Sequence, residues 1–483
     1  MADERDLWST REDGTVNVIV VGGGPAGLVA ALLLGRRGHE VTVVERDPAP
    51  PSPLPELAFE HWARRGVAQA RQPHVFLGRA VRVLRDELPD VLEDLGRAGA
   101  LSVPMDLGEG GSDAVLCSRR LPAEARLRLA VEREPAVTVR SCEAVKDLVL
   151  EQTGPVPRAR GVVLQSGETL WADVVVDATG RRSPTPRILA AHQLRGMPEV
   201  AQACGFLYVS RHFRLRPGAD YPSLEIPIMA NLGWATAMAF PGDRGTFSLL
   251  TIVAAIDPLR RALTTEDGFS RFHATTALTA PWLAAGEPIS DIRTMARVDN
   301  RYRRLVDDAG PIVTGMVLLG DAAMHTNPTA GRGVSLAFAH ALHLASTIDG
   351  SDPDADFSVA FDNWTDANIA AWYQLQAGAD ASMVRRMEAA ASGEQLPPPD
   401  RMEQIRAIII AISKQPGAAG LRLRRVRNLV ELPGDVLTDP AILAAANAYL
   451  DEHGVEGGSV GPTRAAFGAT EPHLRVSCGR RGS

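Results

Sequence analysis

Three glycines in the segment VVGGGPAGLVAAL, residues 20–32, have the spacing that a bound dinucleotide demands of a strand-to-helix turn. Gly22 permits the tight turn off a strand, Gly24 lets backbone approach a pyrophosphate, and Gly27 lets the helix pack closely on the sheet. Pro25 and Ala26 complete the turn. The helix that starts there offers free N–H groups and the positive end of its dipole to an anion. Glu45 follows 23 residues after Gly22, where a carboxylate can accept hydrogen bonds from ribose hydroxyls, and Arg46 stands next to it. A carboxylate at that position repels a 2′-phosphate, so FAD or NAD fits better than NADP. The motif by itself does not separate FAD from NAD.

Two distant segments bear on that choice. ADVVVDATGRRSP, residues 172–184, reads as a buried strand ending at Asp177, with a turn through Gly180 and Arg181. VLLGDAAMHTNPTAGRGVSLAFAHALHLA, residues 317–345, reads as a second buried strand ending at Gly320 and Asp321, then a loop running into a long helix. With the glycine-rich turn, these segments resemble the flavin monooxygenases that share the fold of p-hydroxybenzoate hydroxylase. The resemblance implies FAD, with Asp321 on its sugar chain and Pro328, Gly331, Gly333 and Val334 beside the reactive edge of the isoalloxazine. A helix dipole beginning near Gly333 would favour the anionic reduced flavin. Asp177 reads equally as a site residue and as a turn cap.

Residues 63–100 resemble a segment of bacterial flavin epoxidases and hydroxylases of natural-product pathways. CSRRLPAEARLRLAV, residues 117–131, resembles the segment where that group places an FAD-contacting arginine, which maps to Arg119 with Arg120 as its competitor. The resemblance covers most of residues 16–450. It implies reduction of FAD by NAD(P)H, directly or through a flavin reductase partner, then reaction with dioxygen. A C4a-hydroperoxyflavin would epoxidise or hydroxylate a small lipophilic or aromatic natural-product intermediate. The alternative on the same fold is a flavin-dependent reductase or dehydrogenase. Flavin halogenases also share the fold but use a lysine in the N-terminal portion and a WxWxIP motif. Here the only lysines are Lys146 and Lys414, and GWATAMAFP holds Trp234 alone.

Flavin chemistry needs no protein nucleophile or acid–base pair, and no catalytic side chain is identified. His325, in the loop after Asp321, reads as a hydrogen-bonded loop histidine rather than a reactive one. No spacing of His, Cys and acids suggests a metal. Phe206, Trp234, Phe240 and Phe247 are candidates to line a substrate cavity, with core packing the competing role.

The elements that must hold these residues form an α/β chain: a Rossmann-like FAD-binding domain, an inserted antiparallel-sheet substrate domain and a C-terminal helical region. Strands are expected over 16–21 and 41–45 around a helix over 25–37, and alternating polarity over 203–254 predicts the antiparallel sheet. The FAD-binding domain takes 15–75, 105–190 and 290–350. The substrate domain takes 76–104 and 191–289, the helical region 351–453, and residues 1–14 and 454–483 are expected as loose tails. Lys and Arg total 51 against 58 Asp and Glu, a net charge of −7 that argues against a nucleic-acid partner. Four scattered cysteines, no leader-like apolar stretch and no membrane-length apolar run fit a cytoplasmic protein without an integral membrane segment.

Overall fold

A computed structural model describes residues 14–108, 113–348, 354–396, 398–399, 401–454 and 460–469. Its centre is a parallel sheet of five strands in the spatial order Met316–Leu318, Val174–Asp177, Asn17–Val21, Glu40–Glu45 and Val137–Ser141. Numbered along the chain, that order is the 3-2-1-4-5 arrangement of a dinucleotide-binding sheet. Helix Pro25–Arg36 crosses from the first strand to the second. Its apolar run Leu28 to Leu34 is wholly buried, because it lies between the sheet and helix Gly333–Thr347.

The expected antiparallel sheet is present. Its strands run in the order Ile228–Asn231, Ala235–Pro241, Thr246–Ala254, Phe206–Leu215 and Gly286–Pro288, with Arg293–Ala296 also paired to Phe206–Leu215. Side chains alternate across a strand, and here the alternation sorts two apolar layers. Phe206, Tyr208, Met238, Leu250, Ile252 and Met295 share one layer. Phe213, Trp234, Phe247, Phe272 and Trp282 share the other. Trp234 and Phe247 therefore belong to the layer remote from the dinucleotide-binding domain, which corrects their candidacy as cavity residues.

Two segments pack in ways their local sequence does not announce. Helices Gly78–Glu87 and Pro89–Arg97, grouped with the substrate domain by sequence, join the apolar core of the parallel sheet, the first against helix Gly333–Thr347 and the second against the first and helix Arg120–Glu132. Helices Gly333–Thr347 and Arg120–Glu132 lie further along the chain, and no local pattern reveals those pairings. Residues 460–469, expected as loose tail, include helix Arg464–Ala469. Phe467 is buried beside Trp234 and Phe272, the Trp234 indole donates to the Pro462 carbonyl at 2.9 Å, and Arg464 pairs with Asp257 at 2.9 Å. Residues 1–13 and 470–483 lie outside the described residues.

The C-terminal helices form a further apolar cluster with Ile405, Ile408, Ile412, Leu423 and Val426 turned inward. No helix among the described residues is long and apolar enough to cross a membrane. Phe247 stacks on Phe213 at 5.2 Å and meets Trp282 edge-on at 5.3 Å. Phe247→Ala should therefore cost about 3–5 kcal/mol in urea unfolding while sparing flavin affinity. Phe240→Ala, on the opposite layer, should cost much less stability and alter the flavin environment instead.

Candidate functional site

A cleft of about 530 Å³ runs from the glycine-rich turn to the antiparallel sheet. At one end lie Gly22, Gly24, Glu45 and Arg46, and at the other Tyr208, Phe240, Leu250, Met295, Pro328 and Gly331. Pro25, Ala26, Asp321, Gly333 and Val334 line it between. Of the cofactor-site residues read from sequence, Gly27 and Arg119 are absent from its walls, and of the four aromatic candidates for a cavity wall Phe240 alone lines it.

The turn is built for a close ligand. Gly22 sits at φ +110°, and a Cβ there would stand 2.6 Å from the Ala178 carbonyl oxygen. A Cβ on Gly27 would stand 2.0 Å from the Gly22 oxygen, so Gly27 shapes the turn from behind while not lining the cleft. A Cβ on Gly24 would meet nothing nearer than 3.9 Å, leaving that face open. Helix Pro25–Arg36 has no side-chain cap, and its first internal bond runs from the Leu28 N–H to the Gly24 oxygen. The N–H groups of Ala26 and Gly27 thus precede the helical ladder and are free for an anion.

Glu45 is buried under this turn. It accepts from the Gly23 N–H at 2.7 Å and the Asp47 N–H at 2.8 Å, with Arg64 at 3.0 Å. Arg64 also reaches Glu124 at 2.7 Å and Asp47 at 3.4 Å. Burial pushes the Glu45 carboxyl up, but Arg64 and the two N–H donors outweigh it and hold it below its ordinary value. Sequence reading missed Arg64 because an arginine 19 residues past Glu45 carries no local signal; only the fold brings it beneath the turn.

Adjacent residues at a helix start point about 100° apart, and that decides between the two arginines. Arg119 turns inward, donating to Asp243 through Nη2 at 2.6 Å and Nε at 2.9 Å over the Phe59 ring. Arg120 lines the cleft, bonded to Glu124 at 3.3 Å. Of the two arginines offered by the resemblance, Arg120 and not Arg119 lines the cleft. Asp177 is the turn cap of the two readings: it accepts from Thr179, Ser183 and Thr185 and does not line the cleft. His325 uses both ring nitrogens, on Asp299 at 3.2 Å and the Asp321 carbonyl at 3.3 Å, and it too stays off the cleft.

At the sheet end, the Tyr208 hydroxyl is bonded to Asn327 and, at 2.9 Å, to Thr329. The Asn327 N–H donates to Asn300 at 2.7 Å, and Asn300 donates to Asp380 at 2.8 Å. This buried chain ties the 327–333 loop to the sheet on one side and to helix Ala371–Ser392 on the other. His74 lines the cleft nearby, and burial with Arg120 close by pushes it down to about 3, so it is neutral. Asn327 and Thr329 lie in the 317–345 segment and His74 in 63–100, but Tyr208, Asn300 and Asp380 fall outside these segments and join them only through the fold.

The cleft fits a long dinucleotide. Along it lie Glu45 and Arg46, then the start of helix Pro25–Arg36, then Asp321, and last the 328–333 loop with Tyr208.

The FAD binding domain model matches residues 15–56. Protein Rv3254 of Mycobacterium tuberculosis is 28% identical over 364 residues, which is 69% of this chain and 73% of that protein. The solved structure of the flavin-dependent brominase Bmp2 aligns with a TM-score of 0.58 at 16% identity, covering 91% of this chain and 99% of that one. PqsL of Pseudomonas aeruginosa, described as a probable FAD-dependent monooxygenase, aligns with a TM-score of 0.56 at 18% identity, covering 78% of this chain and 99% of that one.

Two outcomes test the geometry. Arg120→Ala should weaken FAD binding at least tenfold with little change in Tm, whereas Arg119→Ala strands buried Asp243 and should cost about 3–5 kcal/mol on thermal unfolding. Glu45 sits below its ordinary value of 4.5. Its ionisation therefore stabilises the fold above that pH, and the contribution is lost as pH falls through the folded value. Glu45→Gln should bind FAD more weakly near neutrality and should show a shallower acid limb in a plot of stability against pH.

Proposed function

We propose that the chain, with an FAD-binding domain in a fold like that of the p-hydroxybenzoate hydroxylase group, is a flavin-dependent oxidoreductase and specifically a monooxygenase. The proposed reaction activates dioxygen as a C4a-hydroperoxyflavin and epoxidises or hydroxylates a small, lipophilic or aromatic natural-product intermediate. One observation carries the reading. The cleft leaves the dinucleotide turn and ends against a sheet face of Phe240, Leu250, Met295 and Val298. An apolar wall facing the ring end of the cofactor suits an apolar substrate and a site from which water is excluded.

The bound flavin would supply the electron transfer and oxygen chemistry. The chain's own residues would do the rest. Gly22, Gly24, Ala26 and Gly27 would hold the pyrophosphate, Glu45 and Arg46 the ribose, and Arg120 an anionic part of the cofactor. Asp321 would take the sugar chain, and Pro328, Gly331, Gly333 and Val334 would set the distance between ring and sheet. His74, neutral near pH 7, would offer a hydrogen bond without adding charge to the pocket. NAD(P)H is the proposed electron donor, directly or through a flavin reductase. A halogenase reading is disfavoured because neither lysine lines the cleft.

The test is anaerobic reduction of the FAD-loaded protein followed by rapid mixing with dioxygen under a spectrometer. A transient flavin C4a-adduct spectrum before reoxidation is the expected result. Direct return to oxidised flavin, with and without apolar aromatic or alkene compounds present, would turn the reading to a reductase or dehydrogenase.

A further inference from the structure

Most enclosed arginines of this chain carry a carboxylate. Arg64 has Glu45, Asp47 and Glu124, Arg119 has Asp243, Arg303 has Glu199, and Arg82 has Asp113. Arg332 and Arg427 do not. Arg332 immediately precedes helix Gly333–Thr347, between two glycines that line the cleft, and its own side chain turns behind the loop. Its Nη1 donates to the Gln376 amide oxygen at 2.5 Å, its guanidinium lies 5.6 Å over the Trp372 ring, and its Nε has no partner. Arg427 donates to the Ser413 hydroxyl at 2.7 Å and lies close enough to Arg332 for the two cations to repel.

The acid in this region is Asp380, and its oxygens are taken by neutral groups. It accepts from Asn300 Nδ2 at 2.8 Å, from Gln376 Nε2 at 2.8 Å and from the Cys204 thiol at 3.5 Å. Gln376 thus stands between arginine and acid, accepting from Arg332 and donating to Asp380. Burial pushes Arg332 and Arg427 each down to about 10, still charged at neutral pH, and pushes Asp380 up. An enclosed cation without a counter-charge is costly. Asp380 favours the charged form of Arg332 through space, yet among the described residues no carboxylate makes ion-pair contact with either arginine. Two such cations behind one loop mark a place where a further anion would be stabilised.

The geometry points to Arg332, backed by Arg427, as a through-space counter-charge for the reduced anionic flavin, with Gln376 as the positioning residue that keeps its charge from being neutralised by Asp380. This rests on the placement of FAD in the cleft, with the isoalloxazine against the 328–333 loop. It adds a formal charge to the helix N-terminus at the same spot, and the two fields have the same sign. Whatever stabilises the reduced form more than the oxidised form raises the two-electron potential, and a tenfold change in that equilibrium is about 30 mV.

Midpoint potentials of FAD-loaded variants test this without substrate or dioxygen. Arg332→Gln should shift the equilibrium at least tenfold toward oxidised flavin, a fall of about 30 mV or more. It should also leave the reduced flavin with the spectrum of the neutral rather than the anionic form near pH 7. Arg332→Lys should keep most of the wild-type potential. Asp380→Asn removes the opposing charge and should move the potential upward. The opposite signs are decisive, since mere loosening of the loop would shift both variants the same way. Full FAD content with an unchanged potential in Arg332→Gln would overturn the proposal. If that variant fails to hold FAD, Asp380→Asn decides alone, and an unchanged or lowered potential there overturns it. The absence of a C4a adduct in the oxygen experiment would sink the monooxygenase reading and leave this one standing.

Discussion

The structure depends on how closely a dinucleotide can approach the junction of the first strand and helix Pro25–Arg36. That approach requires backbone without side chains, and the same lack of side chains leaves the turn with no packing of its own. The chain compensates from below. Gly22 rests on the Ala178 and Thr179 backbone, Gly27 on Gly22, and the Gly23 N–H is held by Glu45. Glu45 is in turn held by Arg64, which Glu124 anchors from helix Arg120–Glu132. A cluster of charges that would be expensive in isolation is stabilised because every member has an opposite partner. It also joins three segments distant in sequence.

A second constraint is the period of the antiparallel sheet. Even-numbered residues of Phe206–Leu215 and Thr246–Ala254, such as Tyr208 and Leu250, face the cleft, while odd ones such as Phe213 and Phe247 build the outer layer. The strand register sets Tyr208 against Ile252 and Met295 and sets Leu250 against Met238. The cleft wall therefore combines Leu250 and Met295 with the rings of Tyr208 and Phe240, whereas Phe213, Phe247 and Trp282 pack in the other layer. Methionine adapts to irregular shapes, so the wall combines an apolar surface with room for adjustment.

Between turn and sheet, the 327–333 loop is held by a run of hydrogen bonds from Tyr208 through Asn327 and Asn300 to the Asp380 carboxylate, which Gln376 also donates to. The network places the start of helix Gly333–Thr347 at the cleft. Because the Asp380 oxygens are taken within this network, Arg332 is left with an amide and a ring as partners. The electrostatic character of the loop follows from that arrangement.

What the sequence alone determined was local. The strand–turn–helix around Gly22 to Gly27, the acid at Glu45, the Gly320–Asp321 turn and the helix after Gly333 were legible, because each is specified by residues adjacent in the chain. The alternation over 203–254 announced the sheet for the same reason. It could not say which face met the cofactor, since both faces are apolar and period 2 carries no sign. Arg120 against Arg119, Arg64 beneath the turn, and Asp380 behind the loop were decided only by tertiary structure. In each case the deciding quantity was the direction of a side chain, or a pairing with a residue from another segment. The tail told the same story: residues 460–469 have little pattern of their own, and Phe467 is ordered by a pocket that Trp234 and Phe272 create. Spacing along the chain encodes backbone conformation and its ligand, whereas partnerships across the fold exist only once the layers have packed.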